Sequence, residues 1–272
     1  MNAPEVLFAS QARGALPDVQ SSADRRDIAI QKVGVRGVRY PVRLRGGADG
    51  EQPSIATFEM TVALPPEVKG THMSRFIEVL EGHDTALDTE SLDRLLDTML
   101  HRLGAQAGAI TLQATYFRRK TAPVSGVASL LDYGVRLHCE ANGAQRLRQQ
   151  TVEVPVTSLC PCSRDISEYG AHNQRSIIHI GAELRQAVDL DEQIAIAENA
   201  ASCQLWGLLK RPDEKYVTEF AYDHPKFVED LVRDVALALR ADARVAAYSV
   251  SSENFESIHN HSAYAWLEGR NP

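Results

Sequence analysis

From residue 38 the chain alternates in polarity. Val38, Tyr40, Val42 and Leu44 interleave with Arg39, Pro41, Arg43 and Arg45. This is the pattern of a half-buried strand, and Pro41 puts it at a sheet edge or a bulge. Phe58, Met60, Val62 and Leu64 alternate with Thr57, Glu59 and Thr61 to give a second strand, which Pro65-Pro66 ends. The period then lengthens. Met73, Phe76, Ile77 and Leu80 fit one helix face, and Leu92, Leu95, Leu96, Met99, Leu100 and Leu103 fit another, with Gly104 at its C-terminus. Two more strands follow, built on Ile110, Leu112, Ala114 and Tyr116 and on Leu131, Tyr133, Val135, Leu137 and Cys139.

The second half predicts the same order. Val152, Val154 and Val156 make a strand that runs into a cysteine loop, and Ile178, Ile180, Ala182 and Leu184 make the next. A helical stretch is expected from about Asp191 to Leu209. A second helix is expected from Asp223 as N-cap, with Pro225 in its first turn and Phe227, Val228, Leu231 and Val235 turned inward. Val245–Val250 and Ala263–Leu267 supply the last strands. The fold class is therefore α+β: two tandem ββααββ units over residues 29–145 and 146–272, with the turn Ala141-Asn142-Gly143 at the boundary. Antiparallel sheets with helices on one face keep open edges. Closure by neighbouring subunits into barrels is expected, with sites at the seams. Residues 1–28 lack periodicity and suggest a flexible arm.

Composition narrows the function. The 272 residues are 44% hydrophobic, enough for a core, and the net charge of −7 argues against a general nucleic-acid binder. No apolar run reaches the roughly 18 residues of a membrane span, and no signal peptide is visible at the start. Four cysteines are too few for a disulfide framework in a chain this long, so a reducing cytoplasm is expected.

The chemistry-bearing residues gather in the second half. Cys160 lies in Thr157-Ser158-Leu159-Cys160-Pro161-Cys162-Ser163-Arg164, where Pro161 implies irregular backbone and Arg164 a cation beside the sulfur. A buried packing role is the plainer alternative, and Cys162 is open between ligand and packing. His172 follows in His172-Asn173-Gln174-Arg175-Ser176, against the alternative of a surface histidine. His179 alternates with Ile178 and Ile180 and should face away from the core. His259 and His261 flank Asn260, and strand spacing would point both the same way. Glu214 sits in a charged run, Lys210 to Lys215, that reads as a solvated loop. Glu229 adjoins Val228 near a helix start, where an ionised group needs a partner. Each carboxylate taken alone fits a structural role as well as a functional one.

Taken together, these segments resemble GTP cyclohydrolase IB, the prokaryotic second type of GTP cyclohydrolase I. The resemblance rests on the cysteine loop, on His172–Ser176, on Arg211-Pro212-Asp213-Glu214-Lys215 and on Ile258-His259-Asn260-His261. Leu16-Pro17-Asp18-Val19-Gln20-Ser21 and Ile28-Ala29-Ile30-Gln31-Lys32-Val33-Gly34 also look like that family's start. The resemblance implies the tunnelling fold, a homotetramer built as a dimer of dimers, and conversion of GTP to 7,8-dihydroneopterin triphosphate and formate, the first step of tetrahydrofolate and pterin biosynthesis. It implies one divalent metal per site (Zn, Mn or Fe) on Cys160, His172 and Glu214. By the same likeness Glu229 holds the purine, and His259 and His261 serve proton transfer. Arg164, Arg175 and Lys215, with Lys210 and Arg211, are candidates for the triphosphate. Two rivals are a related enzyme using Cys160 as nucleophile, which would survive chelation, and a non-catalytic metal-stabilised module with no open coordination position.

Overall fold

The computed structural model describes residue 20, residues 22–47 and residues 50–272. Most of the expected arm, with Leu16–Val19 and Ser21 of the family-like start, lies outside the described residues.

The strands form one antiparallel sheet of eight, in chain order from β1 to β8. The first half runs β1 (Ile30–Arg45), β2 (Glu51–Leu64), α1 (Met73–Glu81), α2 (Thr89–Leu103), β3 (Ala107–Thr121) and β4 (Ala128–Asn142). The second runs β5 (Gln145–Leu159), α3 (Pro161–Ile166), β6 (Asn173–Leu184), α4 (Leu190–Ala200), α5 (Arg211–Asp223), α6 (Val228–Ala241), β7 (Val245–Asn254) and β8 (Ala263–Arg270). Pro41 does sit on an edge strand. The two halves are not separate sheets. The Ala141–Gly143 turn is a tight hairpin that pairs Asn142 with Gln145, and Gly143 takes φ 58, a left-handed angle that glycine tolerates.

Alternation decides which face is covered. Phe58, Met60, Ile110, Leu112, Val135, Leu137, Val152, Val154, Ile178, Ile180 and Val250 point to one core, and α2, α4 and α6 close it with Leu92, Leu96, Ile194, Leu231 and Val235. Helix α2 buries its expected face, is capped by Asp88 with Ser91, and stops at Gly104 with φ 64. Helix α1 is turned by one position: Phe76, Val79 and Leu80 are buried, while Met73 is exposed.

Three helix boundaries differ from the sequence pattern. The stretch expected to Leu209 ends at Ala200, because the following segment pairs instead with β5 through Cys203 and Thr157. The charged run expected to be a loop opens α5. Pro212 falls in the first turn, and the fully buried Asp213 accepts the Lys210 N–H at 2.8 Å. Asp223 is the end of α5 rather than an N-cap. Pro225 disfavours helix at His224, so α6 starts only after Phe227, whose ring is exposed rather than inward.

Beneath α4 lies a buried charged cluster. Glu198 accepts from Lys120 Nζ at 2.5 Å, from Tyr133 Oη at 2.7 Å and from Arg118 Nη1 at 3.0 Å. Burial lowers the Lys120 pKa despite this partner. The cluster fixes α4 on β3 and β4 and orients the segment beyond it. There Trp206 stacks under Lys120 and donates to the Thr121 carbonyl.

Candidate active site

Strand β5 ends at Leu159, and the next residue turns the chain. Cys160 is the N-cap of α3 and Pro161 begins that short helix, so the expected irregular loop is a helical turn. The Cys160 N–H donates to the His172 carbonyl at 3.2 Å and extends the β5–β6 pairing by one step. Ser163 completes the clasp. Its hydroxyl donates to the Cys160 carbonyl at 3.1 Å and accepts the His172 N–H at 3.2 Å, and its own N–H meets the Cys160 sulfur at 3.5 Å. Thiol and imidazole thus occupy one corner of the sheet.

The His172 side chain is 14% exposed, and its Nδ1 faces oxygens. Gln174 Oε1 is 3.0 Å away, Ser257 Oγ 3.4 Å and Glu256 Oε2 3.9 Å. Gln174 Nε2 donates to Ser158 Oγ at 3.1 Å, and Ser158 shares a 2.7 Å bond with Ser176. Glu256 and Ser257 come from the β7–β8 loop, which the Phe255 N–H anchors to the Arg175 carbonyl at 3.0 Å. The same loop carries His259 and His261. Their rings are exposed and stack at 5.1 Å; they share a side because a bend folds the loop there, not because of the expected strand spacing, since β7 ends at Asn254 and β8 begins at Ala263.

Two helix ends abut this corner. The Lys226 N–H donates to the Leu159 carbonyl at 3.0 Å, which docks the start of α6, where Glu229 stands exposed in the first turn. Helix α5 packs Ala221 against Leu159 and Cys203, and Arg164 lies 5.0 Å over the Tyr222 ring. Glu214 is at the other end of α5. Eight residues separate it from Tyr222, about 12 Å along the axis. It opens onto a shallow hollow of about 420 Å³ shared with Arg211, Lys215, Thr218 and Glu219. Among the described residues no three of His, Cys, Asp and Glu stand close enough to hold a metal ion. One chain therefore brings Cys160 to His172 but leaves Glu214 apart from both.

The cations divide likewise. Arg164 belongs to the cysteine corner, Arg175 is exposed on the β6 face opposite Gln174 and meets the β7–β8 loop through its backbone carbonyl, and Lys215 belongs to the Glu214 hollow, 3.7 Å from Glu219. His179 is exposed, as its alternation implied, and Cys162 is exposed. Burial pushes the Cys139 thiol up to about 12 and the Cys203 thiol up to about 11, which keeps both protonated and fit only for packing. Sequence reasoning missed Gln174, Glu256 and Ser257. Gln174 carried a usable signal: it shares the inward parity of Ile178 and Ile180, where a polar side chain needs a reason. Glu256 lies in an aperiodic loop with no such signal.

A family description, type I GTP cyclohydrolase folE2, matches residues 16–265. The chain belongs to that family. This is the family its motifs resemble. It is 58% identical over 253 residues to GTP cyclohydrolase FolE2 2 of Cupriavidus metallidurans, covering 93% of this chain and 94% of the relative. It is 56% identical to GTP cyclohydrolase FolE2 1 of Dechloromonas aromatica over 272 residues, the whole of both chains. In fold it is similar to uricase from Arthrobacter globiformis, with a TM-score of 0.50 at 11% identity over 89% of this chain and 93% of that one. At that identity the likeness concerns the sheet and its helices alone. Among the described residues no helix is long and apolar enough to cross a membrane.

Proposed function

We propose that this folE2-family chain converts GTP and water to 7,8-dihydroneopterin triphosphate and formate, the entry step to tetrahydrofolate and other pterins. The observation that carries the site assignment is the clasp between Cys160 and His172 beside the loop that holds two stacked histidines. Thiolate and imidazole are suitable donors for Zn, and for Mn or Fe once a carboxylate joins them. Cys160 and His172 would hold the ion, with Glu214 as third ligand reached across a subunit seam. When bound, the ion makes hydroxide available near neutral pH.

The rest is work for this chain's own groups. Glu229 accepts from N1–H and the exocyclic NH2 of guanine, which lie side by side and suit a carboxylate. His259 or His261 delivers a proton to N7, and C8 becomes electrophilic. Water adds to C8 and the imidazole ring opens. A second water releases C8 as formate, and one water leaves as the rearranged ribose closes the pterin ring, so one water is consumed overall. Arg164, Arg175 and Lys215 are assigned to the triphosphate. The repeated order of strands and helices supports two tandem tunnelling-fold units over 29–145 and 146–272. The open edges β1 and β8 support closure into barrels within a homotetramer, acting in the cytoplasm.

The test is direct. Protein loaded with Zn, Mn or Fe is incubated with GTP, and formate is assayed together with the fluorescence of the oxidised dihydropterin. One formate per GTP is expected. Intact GTP after incubation with fully metal-loaded protein overturns the assignment.

A further inference from the structure

We infer that Gln174 is a positioning residue: its carboxamide oxygen holds His172 in the tautomer protonated on Nδ1 and so presents Nε2 as the metal-binding nitrogen. This rests on the reading of His172 as a ligand. The geometry settles which way the carboxamide points. Gln174 Nε2 lies 3.1 Å from Ser158 Oγ and 3.5 Å from Glu256 Oε1. A carboxylate oxygen only accepts, so the atom facing it is the NH2 group. The opposite atom, Oε1, is then the one 3.0 Å from His172 Nδ1. It has no hydrogen to give, so in the neutral ring the proton sits on Nδ1. Of the two other groups at that nitrogen, the Glu256 Oε2 carboxylate oxygen at 3.9 Å only accepts, and the Ser257 hydroxyl at 3.4 Å is free to accept.

Burial makes the arrangement stiff. Gln174 is 7% exposed, and Ser158 and Ser176 are fully buried. A carboxamide turned over here would set its NH2 against the imidazole and its oxygen against Glu256, leaving buried groups unpaired. Such a partner fixes ring orientation and tautomer, and losing one costs about 10–100-fold in metal affinity. Asn173 and Arg175, the neighbours along β6, are exposed and cannot substitute.

The experiment uses metal-free full-length protein with 15N-labelled histidine. Long-range 1H–15N correlations report the tautomer of His172, and competition titration with Co(II) reports affinity. Wild type should show the Nδ1–H form. Gln174→Met should populate the Nε2–H form and weaken Co(II) binding about 10–100-fold. The double variant Gln174→Glu with Glu256→Gln exchanges acid and amide, keeps an acceptor oxygen at Nδ1, and should restore both readouts. An unchanged Nδ1–H form in Gln174→Met, or Co(II) affinity within about threefold of wild type, overturns the inference. If that variant does not fold, Ser158→Ala removes the anchor of the carboxamide and bears the same two outcomes. His172→Ala separates the premises: Co(II) affinity equal to wild type there defeats the ligand reading itself, whereas loss there with none in Gln174→Met defeats only the role of Gln174.

Discussion

Cys160 and His172 meet because the end of the β5–β6 pairing closes between them, and Cys160 has two jobs at that point. Its sulfur caps α3 and faces the site. Cys160→Ser separates the jobs, since serine is a good cap and a poor soft ligand. The melting temperature should stay within about 2 °C of wild type, while formate release falls about 100-fold or more. Normal turnover would remove the sulfur from the chemistry. Glu229→Gln exchanges a charge-assisted acceptor for a neutral one, a loss of about 1.5–3 kcal/mol. GTP turnover should drop about 10–100-fold with metal content unchanged, and a parallel loss of metal would make Glu229 a ligand instead. At this scale residue type singled out Cys160, His172 and the paired histidines, and the fold sets Cys160 beside His172 and stacks His259 on His261. The sequence was silent on Glu256, because a glutamate in an aperiodic loop looks like any solvated charge until the fold sets it beside an imidazole.

Helix α5 shows how a charged run becomes a structural element. Lys210 to Lys215 reads as loop because its apolar period begins only at Val217. What makes it helical is Asp213, which no periodicity can reveal. Burial alone would raise its carboxyl, but the Ser125 hydroxyl, the Ser125, Lys210 and Val124 N–H groups all donate to it and hold it well below the usual carboxylate range. The folded pKa is therefore lower than the unfolded one. The resulting stability is present above about pH 4 and fades as acid protonates the unfolded chain and then the native one. Asp213→Asn should lower the melting temperature by about 2–4 °C at pH 7. The gap from wild type should shrink as pH falls below about 4. A gap that stays constant down to pH 2 would assign the effect to shape rather than charge. Under α4, Lys120→Met leaves Glu198, in a buried place, with Arg118 as its one remaining cation among the described residues and should cost about 3 kcal/mol in denaturant melts.

For the molecule as a whole, the sequence conveyed the strands, their covered face and the edge position of β1, but not the joining of the halves. A domain boundary and a hairpin give the same Asn-Gly signal, and only pairing across Asn142 and Gln145 distinguishes them. Among the described residues no further strand lies beside β1 or β8. Strand β8 carries Tyr264 and Trp266, 65% and 55% exposed, on the face away from the core. Large aromatics on a free strand suit burial by a second copy. The separation of Glu214 from Cys160 within one chain points the same way, since a second copy brings a second α5. If sites are shared in this manner, two inactive variants should rescue each other. Cys160→Ala and Glu214→Ala, each without activity alone, would be unfolded together, refolded and assayed. Mixed assemblies then contain seams with an intact Cys160 from one chain and an intact Glu214 from the other, and activity should return to about a quarter of wild type, as binomial mixing of two-chain sites gives. Trp266→Glu in both chains should abolish that recovery and shift sedimentation to smaller species while the far-ultraviolet circular dichroism holds. No recovery from a mixture shown by mass spectrometry to contain mixed assemblies would mean that Cys160 and Glu214 act from one chain, with α5 moving toward the corner when the site fills.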